Sequence, residues 1–369
     1  MKKILFGLLI GVSFISQSCL NDNEDPVAVP KTDGNVVEAY VGGPTQPNQL
    51  WIDLGTETKT LTKRTDWDFA FYSGNEFKVV LNSSIMMAAA KIPNVTDLTQ
   101  VTQSTVAVLQ TQVLVANFNA ANEIYIDDVK GNFPSGYTAI SEIKANSAEN
   151  GIYLVNMGKK NYSGAVALGS VATGGDERGW KKVQIMRAGN GYTIKSADID
   201  GKNYYETTVT KNVAYNYNFI SVIDKKEVLI QPEKKKWDLC FTVFTNTISG
   251  SGSYIYADFV NNNNIGGAGV YEVVIPSPAS GVEAYTNFKV SDIVESKFIY
   301  NDHRVIGANW RNPVGTNGLE VYGDRFYILK DPDGNYFKLR FTRLTKDKTD
   351  EYGQAGERGF ASFEYKPLY

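Results

Sequence analysis

The chain has 369 residues, with 37 Lys and Arg against 40 Asp and Glu, for a formal charge of −3. That balance gives no electrostatic case for nucleic acid, and no basic run offsets it. One His, His303, and two Cys leave no multi-histidine metal centre and almost nothing on which to build a Ser–His–Asp or Cys–His device, so the residues read as a binding or structural protein rather than an enzyme, which would have to run on carboxylates, Lys or Tyr.

Lys2 and Lys3 precede an apolar run from Ile4 to Ile15, too short to span a bilayer but suited to a signal-peptide core. The run ends in Ser16-Gln17-Ser18-Cys19, which resembles a bacterial lipobox and makes Cys19 the expected lipidation site. Residues 1–18 are then a leader and 19–32 a tether, since Asn21 to Asp25 is wholly polar and Pro26 and Pro30 follow. Acidic residues just behind the acylated Cys resemble a surface-export signal of Bacteroidetes lipoproteins. The expected location is the outer membrane, at the cell surface, held by the lipid anchor. With Cys19 acylated, Cys240 has no partner for an internal disulfide.

Beyond the tether, period-two alternation rich in Tyr, Val, Ile, Phe and Thr, broken by Gly, Asn and Asp clusters, predicts strands. Helical signals are confined to an ambiguous stretch at Thr96–Ala121 and a short segment at Asp292–Phe298 with Ser291 as N-cap. The fold class is all-β, mainly antiparallel, with few short helices. Trp51-Ile52-Asp53-Leu54, followed by Trp67-Asp68-Phe69-Ala70-Phe71, parallels Tyr217-Asn218-Phe219-Ile220, followed by Trp237-Asp238-Leu239-Cys240-Phe241. Strand alternation places Trp67 with Phe69 and Phe71, and Trp237 with Leu239 and Phe241. It turns Asp68 and Asp238 the other way, where each is expected to accept hydrogen bonds from a turn or an Arg. Ile152 to Val155 with Lys182 to Ile185 parallels Phe326 to Leu329 with Lys338 to Phe341. The chain therefore reads as a duplication, with modules at 33–200 and 201–369 that pack together or share a sheet.

These motifs, in this order, resemble the HmuY family of Bacteroidetes outer-membrane lipoproteins. The second copy matches best, through Lys236 to Phe241, Asp324 to Phe341 and Gly356 to Tyr365. The resemblance implies haem as cofactor and a TonB-dependent receptor as partner. It also implies a pair of His, or of Met, on loops between the Trp-Asp strand and the last hairpin, here residues 245–325. That interval holds no Met and only His303. The haem-ligand candidates are thus His303 with Met86 and Met87 of the first copy, and bis-His capture is excluded. A diverged member binding another small molecule, a glycan or a protein stays open beside the haem reading. Asp331-Pro332-Asp333-Gly334-Asn335 begins like a calcium loop, but Thr342 stands where such a loop needs Glu, so it reads as a turn and no metal site is expected.

Overall fold

The computed structural model describes residues 32–315, 318–346 and 356–369. The leader, Cys19 and the tether up to residue 31 lie outside them. The first repeat supplies β1 (Asn35–Tyr40), β2 (Asn48–Asp53), β3 (Thr58–Lys63), β4 (Phe69–Tyr72), β5 (Val79–Leu81), β6 (Ala88–Lys91), β7 (Ile152–Asn156), β8 (Trp180–Ala188) and β9 (Gly191–Asp198). The second supplies β10 (Tyr205–Val209), β11 (Tyr217–Ser221), β12 (Lys226–Val228), β13 (Leu239–Ile248), β14 (Gly252–Asn262), β15 (Gly269–Val274), the hairpin β16 (Arg311–Gly315) and β17 (Gly318–Val321), β18 (Arg325–Lys330), β19 (Tyr336–Arg343) and β20 (Phe360–Leu368). All named pairings are antiparallel, which bears out the all-β reading. In the ambiguous stretch only α1 (Gln103–Gln110) is α-helical. The segment after Ser291 is two separate 3-10 turns, Val290–Asp292 and Glu295–Lys297, while α2 (Gly281–Asn287) lies upstream of it.

Two five-stranded sheets have matching order, β10-β9-β8-β7-β6 and β1-β20-β19-β18-β15. Two four-stranded sheets match likewise, β12-β11-β4-β5 and β3-β2-β13-β14. Each five-stranded sheet packs on a four-stranded one, giving two sandwich bodies with separate cores. Phe69, Phe71, Val155, Ile185 and Tyr192 fill the first core; Leu239, Phe241, Leu329, Phe341 and Phe363 fill the second. Burying each such side chain is worth about 1.5–3 kcal/mol.

The repeats trade strands between these bodies. β10 and β11, from the second repeat, pair with β9 and β4 of the first; β1 and β2, from the first, pair with β20 and β13 of the second. The first body is consequently one continuous stretch, 64–230. The second is 231–369 closed by residues 32–63, and the repeat boundary at 200/201 falls in a turn joining two paired strands. Connection length explains the trade: β9 runs straight into β10, so β10 completes the sheet it has just left, and the far end of the second body is left for β1.

The Trp-Asp elements stitch each junction identically. Asp68 N–H donates to Ile220 O (2.8 Å), and its carboxylate accepts from Val222 N (2.8 Å); Asp238 N–H donates to Ile52 O (2.7 Å), and its carboxylate accepts from Leu54 N (2.7 Å). The expected facing of the tryptophans is corrected. Trp67 and Trp237 lie with Ala70 and Cys240 in a third cluster, away from Phe69, Phe71, Leu239 and Phe241. β4 and β13 begin only at Phe69 and Leu239, so the pleat does not extend back to the tryptophans. This third cluster joins residues of the two four-stranded sheets and cements the bodies. The small residues Ala70 and Cys240 leave room there for Trp67, Trp51 and Trp237.

Candidate ligand-binding groove

In the second body, residues 297–309 cross from the edge of one sheet to the edge of the other. Ile299 N–H and Val270 O pair at 3.0 Å at one end; at the other, Gly307 N–H pairs with Val260 O at 3.0 Å and Asn262 N–H with His303 O at 2.9 Å. Beneath this strap lies a groove of about 890 Å³, within the roughly 300–1,000 Å³ usual for small-molecule sites. Half-buried Tyr256 of β14 lines it, backed by the buried Phe259 of β14 and, on the other sheet, the buried Tyr271 of β15. All its lining residues but Lys130 fall in the interval 245–325.

Tyr256 and Phe259 stand three apart, which in a regular strand would put them on opposite faces. A bulge prevents that. Ala257 and Asp258 together oppose Val243, and Asp258 takes a left-handed φ of 49°. The buried Asp258 carboxylate accepts from Arg358 Nε (2.8 Å) and Gln46 Nε2 (2.6 Å), and Asp258 N–H donates to Gln46 Oε1 (2.9 Å). Gln46 belongs to the closing segment and Arg358 precedes β20, so closure of the second body holds the bulge that shapes the groove.

The charges divide into paired and free. Arg304 donates twice to Asp302 (2.9 and 2.8 Å) and once to Asn246 Oδ1 (2.8 Å). Burial works against the charge on Asp302, but the Arg304 hydrogen bonds hold its carboxyl below the usual range. Glu272 pairs with Arg325 at 3.4 Å. Lys130 and Lys297 form no ion pair among the described residues and line the same groove. Burial pushes the Tyr256 phenol up, so it is protonated at neutral pH.

The haem-ligand candidates lie elsewhere. His303 sits on the strap but turns its ring inward, edge-on to Phe244 with centroids 5.1 Å apart, and its Nε2 bonds to Val129 O at 3.0 Å. Burial pushes its pKa down to about 4, so the imidazole is neutral. His303 and Met87 line a cavity of about 110 Å³ between the bodies, room for three or four waters and not for a macrocycle. Met87 is buried in the first core, and the Met86 methyl rests against Gly174. The Asp331 turn is closed on itself, its carboxylate accepting from Asp333 N (2.9 Å) and Asn335 N (2.7 Å). Sequence reasoning missed Tyr256, Phe259, Tyr271, Lys130 and Lys297. The Tyr254-x-Tyr256 alternation was the available signal, but the bulge and the contribution of Lys130 from the other repeat were not readable.

Among solved structures, three resemble parts of the chain. One from Bacteroides vulgatus, described as a HmuY-like heme-binding protein, is 16% identical, covering 40% of this chain and 83% of its own, with a TM-score of 0.20. A structure described as a lipoprotein of Bacteroides fragilis is 17% identical over 51% of this chain and 91% of its own, TM-score 0.21. Apo PinO from Porphyromonas gingivitis is 15% identical over 51% and 95%, TM-score 0.20. No curated protein matches. The family model described as HmuY protein matches residues 45–219 and again 214–365. Two matches in series, which together span most of the sequence, establish that this chain belongs to the HmuY family.

Proposed function

We propose that this is a lipid-anchored surface protein without enzymatic activity. In this reading it holds a flat amphipathic ligand, haem or an iron-free porphyrin, in the second-body groove for delivery to a TonB-dependent receptor. The observation that carries the reading is the groove itself, with the half-buried Tyr256 on its lining, the buried Phe259 and Tyr271 behind it, and two lysines that form no ion pair among the described residues. Aromatic faces suit a macrocycle and the lysines suit its carboxylates. No His ring or Met lines this groove. The two tyrosines on its lining keep their phenol protons, since burial pushes both up, and a protonated phenol is a poor iron donor, so iron ligation contributes little and haemin and metal-free protoporphyrin IX should bind within a few-fold of each other. Absorbance titration of the protein with both compounds tests this. Tyr256→Ala combined with Lys297→Ala should weaken both at least tenfold, and failure of either compound to bind at micromolar concentration overturns the porphyrin reading. The same lack of His and Met favours, as second reading, a diverged member that binds a different ligand. For the anchor, Cys19→Ala should move the protein from the membrane to the soluble fraction.

A further inference from the structure

Lys182 of β8 and Lys338 of β19 occupy equivalent places, facing Leu154 and Ile328 of the neighbouring strand, and both are buried. A buried ammonium has three protons to satisfy. Lys338 satisfies all three with the end of α2, donating to Tyr285 O (2.6 Å), Thr286 O (2.9 Å) and Phe288 O (2.9 Å). Lys182 finds two carbonyls, Val101 O (3.0 Å) and Ile199 O (3.2 Å). In the first body α1 starts beyond Val101, and its C-terminal carbonyls are not the partners of Lys182. What lies beside Lys182 instead is a second groove, of about 520 Å³, with Leu98, Val101, Ala197 and Ile199 as its apolar lining. Thr99, Thr102, Gln103 and Tyr204 complete the lining.

From this pairing we infer a second binding site, in the first body, for a small amphiphile with an anionic head. A carboxylate takes the remaining proton of Lys182 and the alkyl tail lies along Leu98, Val101 and Ile199. A charge-assisted hydrogen bond at a desolvated ammonium is among the stronger kinds, and each buried methylene adds about 0.8 kcal/mol. Asp200, on the same rim, is engaged by Lys202 at 2.8 Å, and Asp97 by its own turn through Thr99; both carboxylates feel the Lys182 charge through space, but neither accepts a hydrogen bond from it among the described residues, so its third proton stays open to a carboxylate. This site is separate from the porphyrin groove and does not depend on it.

Calorimetric titration of the protein with octanoate, octanol and octylammonium tests the inference without any substitution. Octanoate should bind with one-to-one stoichiometry, at least tenfold more tightly than octanol, and octylammonium should not bind. Equal binding of octanoate and octanol, or preference for octylammonium, overturns it. Lys182→Met should weaken octanoate at least tenfold, whereas Lys338→Met and Tyr256→Ala should leave it within twofold. If Lys182→Met does not fold, the isotope-labelled Lys182 side chain of the unsubstituted protein gives the same answer. Its nitrogen resonance must shift on adding octanoate, and an unmoved resonance with bound octanoate overturns the assignment.

Discussion

The two bodies have the same strand order and the same junction hydrogen bonds, and they differ in how each is closed and how each treats its buried charges. The first body is closed by the chain that follows it directly; the second depends on residues 32–63, from the opposite end of the sequence. At the junctions, Asp68 meets Arg178 at 2.7 Å with both side chains nearly inaccessible. Its counterpart Asp238 pairs with no cation among the described residues, and burial, with Asp53, Asp331 and Asp333 nearby, pushes its carboxyl well up. The edges differ too. Ala88 and Ala90 of β6 lie under Val113 and Ile126, whereas on β15 the Tyr300 ring covers Gly269, equivalent to Ala88, and the groove opens beside Tyr271, equivalent to Ala90. One ancestral unit has thus yielded a body whose corresponding edge is covered and one with an open groove, and the groove belongs to the body held shut by a distant segment.

The largest expected effect breaks the closure. Removing residues 32–63 takes β1 from one sheet and β2 and β3 from the other. Hydrogen exchange should then show β18 to β20 losing protection by orders of magnitude while β7 to β9 keep theirs. Equal loss in both bodies would mean that the first is not self-sufficient.

Next come the paired aspartates. Asp68→Asn leaves Arg178 buried without its counter-charge and should cost about 3–5 kcal/mol in chemical denaturation. Asp238→Asn keeps an acceptor for Leu54 N–H and removes no ion pair, so its cost should stay below about 1 kcal/mol. Comparable costs would refute the asymmetry.

A smaller effect comes from His303, which stands where the bodies meet. Its folded pKa of about 4 lies below the unfolded value of 6.5. The unfolded chain therefore takes up the proton first as pH falls. The His303 contribution is complete above about pH 6.5 and is lost as the pH drops toward 4, on the order of 3 kcal/mol. His303→Asn should flatten that part of the stability profile; an unchanged slope would assign it to other groups. The smallest change expected is from Tyr365→Phe, which deletes the hydroxyl donating to Leu54 O (3.2 Å). It should cost about 1 kcal/mol, seen as a modest drop in the unfolding midpoint.

Much of this was legible in the order of residues alone. Short runs rich in β-branched and aromatic residues marked β2, β7, β13 and β18, which are buried on both faces, while β19 kept a partial alternation. Duplication was visible in the Trp-Asp elements and in the Lys182 and Lys338 hairpins, and the structural role of Asp68 and Asp238 followed from an acid set among apolar neighbours. Three things were decided only by the tertiary structure. Strand partners are chosen by proximity after folding, so the trade between repeats leaves no local trace. The facing of Trp67 and Trp237 depends on where β4 and β13 begin, a matter of backbone geometry. The groove needs a bulge at Asp258, held by Gln46 and Arg358 from far along the chain, and a lysine from the other repeat. Local sequence records which faces are apolar; it does not record which distant residues will meet there.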